Sequence, residues 1–154
     1  MELYHGSGET AEFPEIRKTH YTKDFSWGFY CTNNFEQAYR WAERKHTEGV
    51  VNIYEYTENK ELNIKKFHEM TDEWLDFIAD CRIGIVHNYD IVEGPMADDT
   101  IWNFVNDFLN GDIPRSVFWE YAKFKHPTSQ ISFHSIRALD CLVYKESELV
   151  NEHK

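Results

Sequence analysis

The sequence predicts an α+β domain, with short strands and helices mixed along the chain and no regular strand–helix–strand alternation. Three observations carry this reading. The run "VVNIYEY" (50–56) is β-branched and aromatic, the composition of a strand. Thr71 and Glu73 ahead of "WLDFIADCRIG" form a capped helix that closes at Gly84. The 154 residues suit one domain, spanning 1–154. A chain of that length buries roughly two-thirds of its surface and needs no metal or disulfide to fold.

The other elements follow in order. Residues 2–5, "ELYH", read as a short opening strand ended by "GSG". Residues 8–23 lack periodicity and hold Pro14, so they read as a loop. "SWGFYCT" (26–32) reads as a second strand with Gly28 inside it. Asn33 or Asn34 caps a helix that runs to about Glu48, with Phe35, Ala38, Trp41 and Ala42 on one face. "ELNIKKF" is a short strand, and "YDIVEGP" is a strand stopped by Gly94 and Pro95. Residues 98–110 form a helix opened by "ADD" and ended by "NG", and residues 115–125 form another. "QISFHS" (130–135) is a strand, "SIRALDCL" a helical turn, and "LVYKESELV" holds the last strand.

Composition narrows the function classes. The net charge of −11 opposes a nonspecific nucleic-acid binder, though it leaves room for a local basic groove. The basic clusters are "RKTHYTK" (17–23) and "KFKH" (123–126). No stretch approaches the ~20 apolar residues of a membrane helix. The start "MELYHGSG" lacks a basic-then-apolar leader, so a cytoplasmic product is expected, with an effector exported by another route as the alternative. Cys31, Cys81 and Cys141 are widely spaced and odd in number, which supports neither a disulfide framework nor zinc, and reads as three small buried hydrophobes. The eight histidines do not fall at metal spacing, so no metal is expected. The usual phosphate loops, the G-x-S-x-G elbow and the H-E-x-x-H helix are also absent.

What remains is a dispersed set: His5 before Gly6, Tyr30 two residues past Gly28, Trp41 in the following helix, and Gln130 opening a late strand. Each has a structural explanation taken singly. Together, "LYHGS", "GFYCT" with "QAYRWA", and "SQISFHS" resemble the three motif segments of the ADP-ribosyltransferase superfamily. The likeness is to its H-Y-E branch, the diphtheria-toxin and poly(ADP-ribose)-polymerase-like side, with Gln in the third position. "DFSWGFYCT…QAYRWA", "YDIVEGPMADD" and "QISFHS…AL" also resemble a small bacterial toxin-like family of such domains. Its members are often encoded beside a short partner protein in a toxin–antitoxin arrangement. The resemblance spans nearly the whole chain, in order.

The resemblance implies a split β-sandwich of short mixed strands with flanking helices. It implies NAD as co-substrate and the following roles. His5 is similar to the histidine that hydrogen-bonds the adenosine ribose. Gly6, with Ser7 beside it, is similar to the backbone that receives the nicotinamide carboxamide, where a side chain would block the approach. Tyr30 is similar to the tyrosine that stacks on nicotinamide, and Trp41 falls where a second stacking ring stands; ring faces suit a cationic ring. Gln130 holds the position where the family often has glutamate.

The implied chemistry is substitution at the nicotinamide ribose through an oxocarbenium-like state. Gln130 can hold a ribose hydroxyl but brings no charge, which disfavours chain elongation. That leaves single ADP-ribose transfer, NAD hydrolysis or a weakened enzyme. Asp98 and Asp99 are candidate supporting acids, with helix capping as the plainer reading; Glu93 is a third. The expected function is an NAD-dependent mono-ADP-ribosyltransferase, the toxin of a bacterial pair, acting on an unknown macromolecular acceptor. The alternatives are a non-catalytic NAD or ADP-ribose reader and an antitoxin-binding interaction protein. The loop carrying Arg17, Lys18 and Lys23 and the region of Asp98 are where an acceptor would touch.

Overall fold

In the computed structural model, residues 1–17, 23–45 and 48–150 are described. The chain begins with β1 (Glu2–Ser7), β2 (Phe29–Cys31), α1 (Phe35–Glu43), β3 (Val50–Tyr56), β4 (Ile64–Lys66) and α2 (Asp72–Arg82). It continues with β5 (Ile91–Pro95), α3 (Asp99–Leu109), α4 (Arg115–Ala122), β6 (Ser129–Phe133), α5 (Ile136–Leu139) and β7 (Leu142–Leu149). These elements make an α+β fold with two sheets, ordered β1-β3-β7 and β2-β6-β5-β4. Every strand pair is antiparallel except β4 with β5.

Side-chain alternation along the strands builds three apolar layers. Leu3, Tyr54 and Leu142 of the first sheet meet Phe29, Ile91, Ile131 and Phe133 of the second. The opposite face of the first sheet, with Val51 and Ile53, takes Ala38 and Ala42 of α1. The opposite face of the second sheet, with Tyr30 and Val92, takes Trp74, Leu75 and Ile78 of α2, Ile101 and Val105 of α3, and Phe118 of α4. Cys31, Cys81 and Cys141 are buried and unpaired, as small hydrophobes would be.

The two sheets touch along one edge. Tyr4 and Thr32 form a single antiparallel bridge, with Tyr4 N–H to Thr32 O at 2.8 Å and the return bond at 2.9 Å. Two residues before Thr32, within β2, the Tyr30 carbonyl takes its bond from the His5 ring at 2.6 Å, where another backbone rung would otherwise form. The sheets therefore part at His5, and a cleft opens there.

Most elements stand where the sequence puts them, and β3 coincides with the expected 50–56. Several boundaries differ: α4 ends at Ala122 rather than 125, β6 spans Ser129–Phe133 rather than 130–135, and four further differences have a visible cause. β1 runs on through Gly6 and Ser7 because β3 continues to pair with it. Residues 26–28 are not strand: Ser26 has φ of 77°, and the Tyr30 hydroxyl donates to Ser26 O at 2.6 Å while accepting from Phe25 N–H at 3.0 Å, folding that segment into a turn. α1 ends at Glu43, with Arg44 as its C-cap, rather than near Glu48. Gly94 and Pro95 lie inside β5, opposite Gln130 and Ser129, rather than stopping it.

Candidate functional site

The cleft at the split has a volume of about 680 Å³ and is lined by β1, β2, α1, β6 and the segments before α3 and β6. Cofactor and small-molecule sites typically fall in this size range. His5, Gly6, Tyr30, Trp41, Asp98 and Gln130 all line it. Residues 125 positions apart in the chain thus share one wall, because β2 pairs with β6 and bridges to β1.

His5 is fixed on two sides. Its ring stacks on Phe29 at 4.0 Å, and Nδ1 donates to the Tyr30 carbonyl at 2.6 Å. A carbonyl only accepts, so the neutral ring carries its proton on Nδ1 and leaves Nε2 as an acceptor. Burial pulls His5 down to about 4 despite that hydrogen bond, and Lys23 and Lys45 pull it the same way. His5 is therefore neutral near pH 7.

Gly6 owes its identity to helix packing. A Cβ there would stand 2.1 Å from the Ala38 carbonyl oxygen and 2.9 Å from Trp41 Cβ. The space that glycine keeps clear is thus on the α1 side, which differs from the expectation that a side chain would block a ligand. Ser7 lines an adjoining cavity of about 550 Å³ that shares His5, Gly6, Lys23 and Lys45 with the main cleft.

Tyr30 belongs both to the cleft and to the core, at 4% exposure. The Lys23 ammonium lies 4.9 Å from the centre of its ring. Although Lys23 is exposed, desolvation by the protein around it lowers its pKa, and the Lys45 charge adds to that shift. Trp41 is partly exposed, on the flank of α1 beside the residues that pack on the sheet.

Gln130 is 5% exposed and sits in a buried polar cluster. Its Nε2 donates to Asp24 Oδ2 at 3.2 Å, and the same oxygen accepts from Ala97 N–H at 2.8 Å. Asp24 Oδ1 pairs with Arg82 of α2. The Arg82 guanidinium lies 3.6 Å from the centre of the Trp102 ring, a cation–π contact. The segment carrying Asp24 is held from several directions: His87 donates to Phe25 O at 2.8 Å and His134 Nδ1 to Trp27 O at 2.8 Å.

Asp24 and Arg82 were not singled out in the sequence. Asp24 opens the aromatic stretch "DFSWGFY", yet nothing in that pattern says that the carboxylate turns inward. Asp98 caps α3, accepting from Ile101 N–H at 2.9 Å, so capping is its observed work, although it also lines the cleft. Glu93, on β5, lines neither cavity. The Asp99 side chain, Lys18 and His153 lie outside the described residues.

Charge is distributed against the chain's overall balance. Among the described residues, the cleft is lined by Lys23, Arg40, Arg44, Lys45 and Arg82 against two acids, Asp24 and Asp98. A basic wall inside a protein of net charge −11 favours an anionic ligand there. Three of these cations lie on or just after α1, where helical spacing hides them from a search for basic runs. Among the described residues, no group of three or more His, Cys, Asp or Glu could hold a metal ion, and no helix is long and apolar enough to cross a membrane.

The family model for "Protein of unknown function (DUF3990)" matches residues 1–144. The chain belongs to the DUF3990 family. No curated protein and no solved structure matches it. In this DUF3990 protein the matched span includes both sheets up to Tyr144 and every lining residue of the cleft.

Proposed function

We propose that this DUF3990 protein is an NAD-dependent mono-ADP-ribosyltransferase, the toxin of a bacterial pair, built on an ADP-ribosyltransferase-like split β-sandwich. The observation that carries the reading is the convergence of His5, Gly6, Tyr30, Trp41 and Gln130, drawn from four elements, on one 680 Å³ cleft. The parting of two sheets at β1 and β2 supports the fold, and the basic lining supports a diphosphate-bearing ligand.

In this reading His5 Nε2 accepts a hydroxyl of the adenosine ribose, and the Gly6 backbone receives the carboxamide. Tyr30 and Trp41 offer ring faces to nicotinamide. The bond between nicotinamide nitrogen and ribose carbon breaks, and its electron pair leaves with nicotinamide. The sugar becomes an oxocarbenium-like cation, which a nucleophile of the acceptor captures while losing a proton. Gln130 holds a ribose hydroxyl throughout. The chain's contribution is orientation and a prearranged polar wall.

The Lys23 ammonium on the Tyr30 face and the uncharged Gln130 favour a second reading, a module of the same fold that binds NAD or ADP-ribose without turning it over. One experiment separates the two. Wild type, His5→Ala and Tyr30→Ala are incubated with labelled NAD and a cell lysate, and nicotinamide release and labelled macromolecules are followed. The enzyme predicts release that both substitutions reduce. Without release or label, but with a melting temperature raised by NAD, the binding module stands. Without either, both readings fall. For the toxin role, induction should arrest growth, and co-expression of the neighbouring gene should relieve it.

A further inference from the structure

We infer that Asp24 is a positioning residue: it fixes the Gln130 amide so that Oε1, rather than Nε2, faces the cleft and accepts a hydroxyl of the bound ligand. This rests on the reading of the cleft as an NAD site. A carboxylate can only accept, so the amide end 3.2 Å from Asp24 Oδ2 must be the NH₂. Asp24 cannot swing away, because Ala97 N–H and Arg82 hold its two oxygens. It is 4% exposed and Gln130 is 5% exposed, so the contact is shielded from water. Oε1 has no hydrogen-bond partner among the described residues, and Gln130 lines the cleft. The amide therefore presents a lone pair to the ligand, further polarised by the carboxylate behind it.

The same geometry explains glutamine at position 130. A carboxylate there would stand at hydrogen-bond distance from Asp24, and like charges so close do not both ionise. Asp24 and Gln130 form a matched pair in which charge sits one residue behind the hydroxyl acceptor.

The test compares NAD, its analogue lacking the 2′-hydroxyl of the nicotinamide ribose, and ADP, by calorimetric titration. Wild type should bind NAD about tenfold tighter than the deoxy analogue, the worth of one buried hydrogen bond. Asp24→Ala should cut that preference below about threefold and change ADP affinity by less than about threefold. The double variant Asp24→Ala/Arg82→Met, which removes the ion-pair partner as well, should also cut that preference below about threefold. Undiminished preference for NAD in either folded variant overturns the inference. Wild type that binds neither NAD nor ADP removes the underlying reading instead.

Gln130→Glu keeps Asp24 and Arg82 and needs no ligand. Two adjacent carboxylates share a proton at about pH 5 and repel at about pH 8. From about pH 5 to about pH 8 the melting temperature of this variant should fall by at least about 3 °C relative to that of wild type, which itself gains stability over that range. An unchanged difference means that Asp24 does not hold position 130, and the inference fails.

Discussion

Gly6 lies so close to Ala38 that a Cβ on the glycine would stand 2.1 Å from the alanine carbonyl oxygen. That oxygen is backbone on a regular helix turn and cannot rotate aside. Gly6→Ala must therefore push α1 away from β1. The expected cost is about 1–3 kcal/mol, typical of overpacking. Thermal melting should show a fall of at least about 3 °C. An unchanged melting temperature would mean that α1 does not sit against β1 as described.

Acid should weaken the fold in a defined window. Burial pulls His5 and His134 each down to about 4, opposed in part by backbone bonds to Tyr30 and Trp27. The unfolded chain takes up these protons near pH 6.5, and the folded chain does not until about 4. Stability is therefore full above about 6.5 and falls as pH drops towards 4, by about 1.4 kcal/mol per pH unit for each histidine. Urea unfolding at about pH 7.5 and about pH 5 measures this, and a flat profile between them contradicts it.

Lys23 stands where a cationic ring would stack on Tyr30, 4.9 Å from the ring centre. Lys23→Met removes that competitor and keeps the aliphatic stem. Affinity for 1-methylnicotinamide, a pyridinium cation without phosphate, should rise about two- to fivefold. A loss of affinity would assign Lys23 a different part in the cleft.

Trp41 separates packing from ligand contact. It lines the cleft beside the apolar face of α1, whereas Ala38 and Ala42 make the core contacts. Trp41→Ala should leave the melting temperature within about 2 °C of wild type and weaken NAD binding about three- to tenfold. A large melting loss with unchanged affinity would make this ring a packing residue.

Tyr30 is clasped through its hydroxyl, which bonds Ser26 O and Phe25 N–H. Tyr30→Phe leaves both backbone groups without that partner in a buried site. The expected loss is about 1–3 kcal/mol in urea unfolding. Since the turn also carries Asp24, the same variant should loosen the Asp24–Gln130 contact and lower NAD discrimination with it.

The sequence by itself determined the α+β class, nearly every element and the three buried cysteines, and it singled out His5, Gly6, Tyr30, Trp41 and Gln130 as candidates. These are legible because strand composition, helix caps such as Thr71, and motif order are local properties of the chain. The tertiary structure alone decided that five of these residues face one cleft, because strand pairing brings positions 5, 30 and 130 together. It also decided that Gly6 serves the helix, that Tyr30 serves the core as well as the cleft, and that an inward-turned Asp24 stands behind Gln130. Sequence distance hides such contacts: a buried carboxylate is stabilised by its partners, here Arg82 and Ala97 N–H, and those partners are set by the fold.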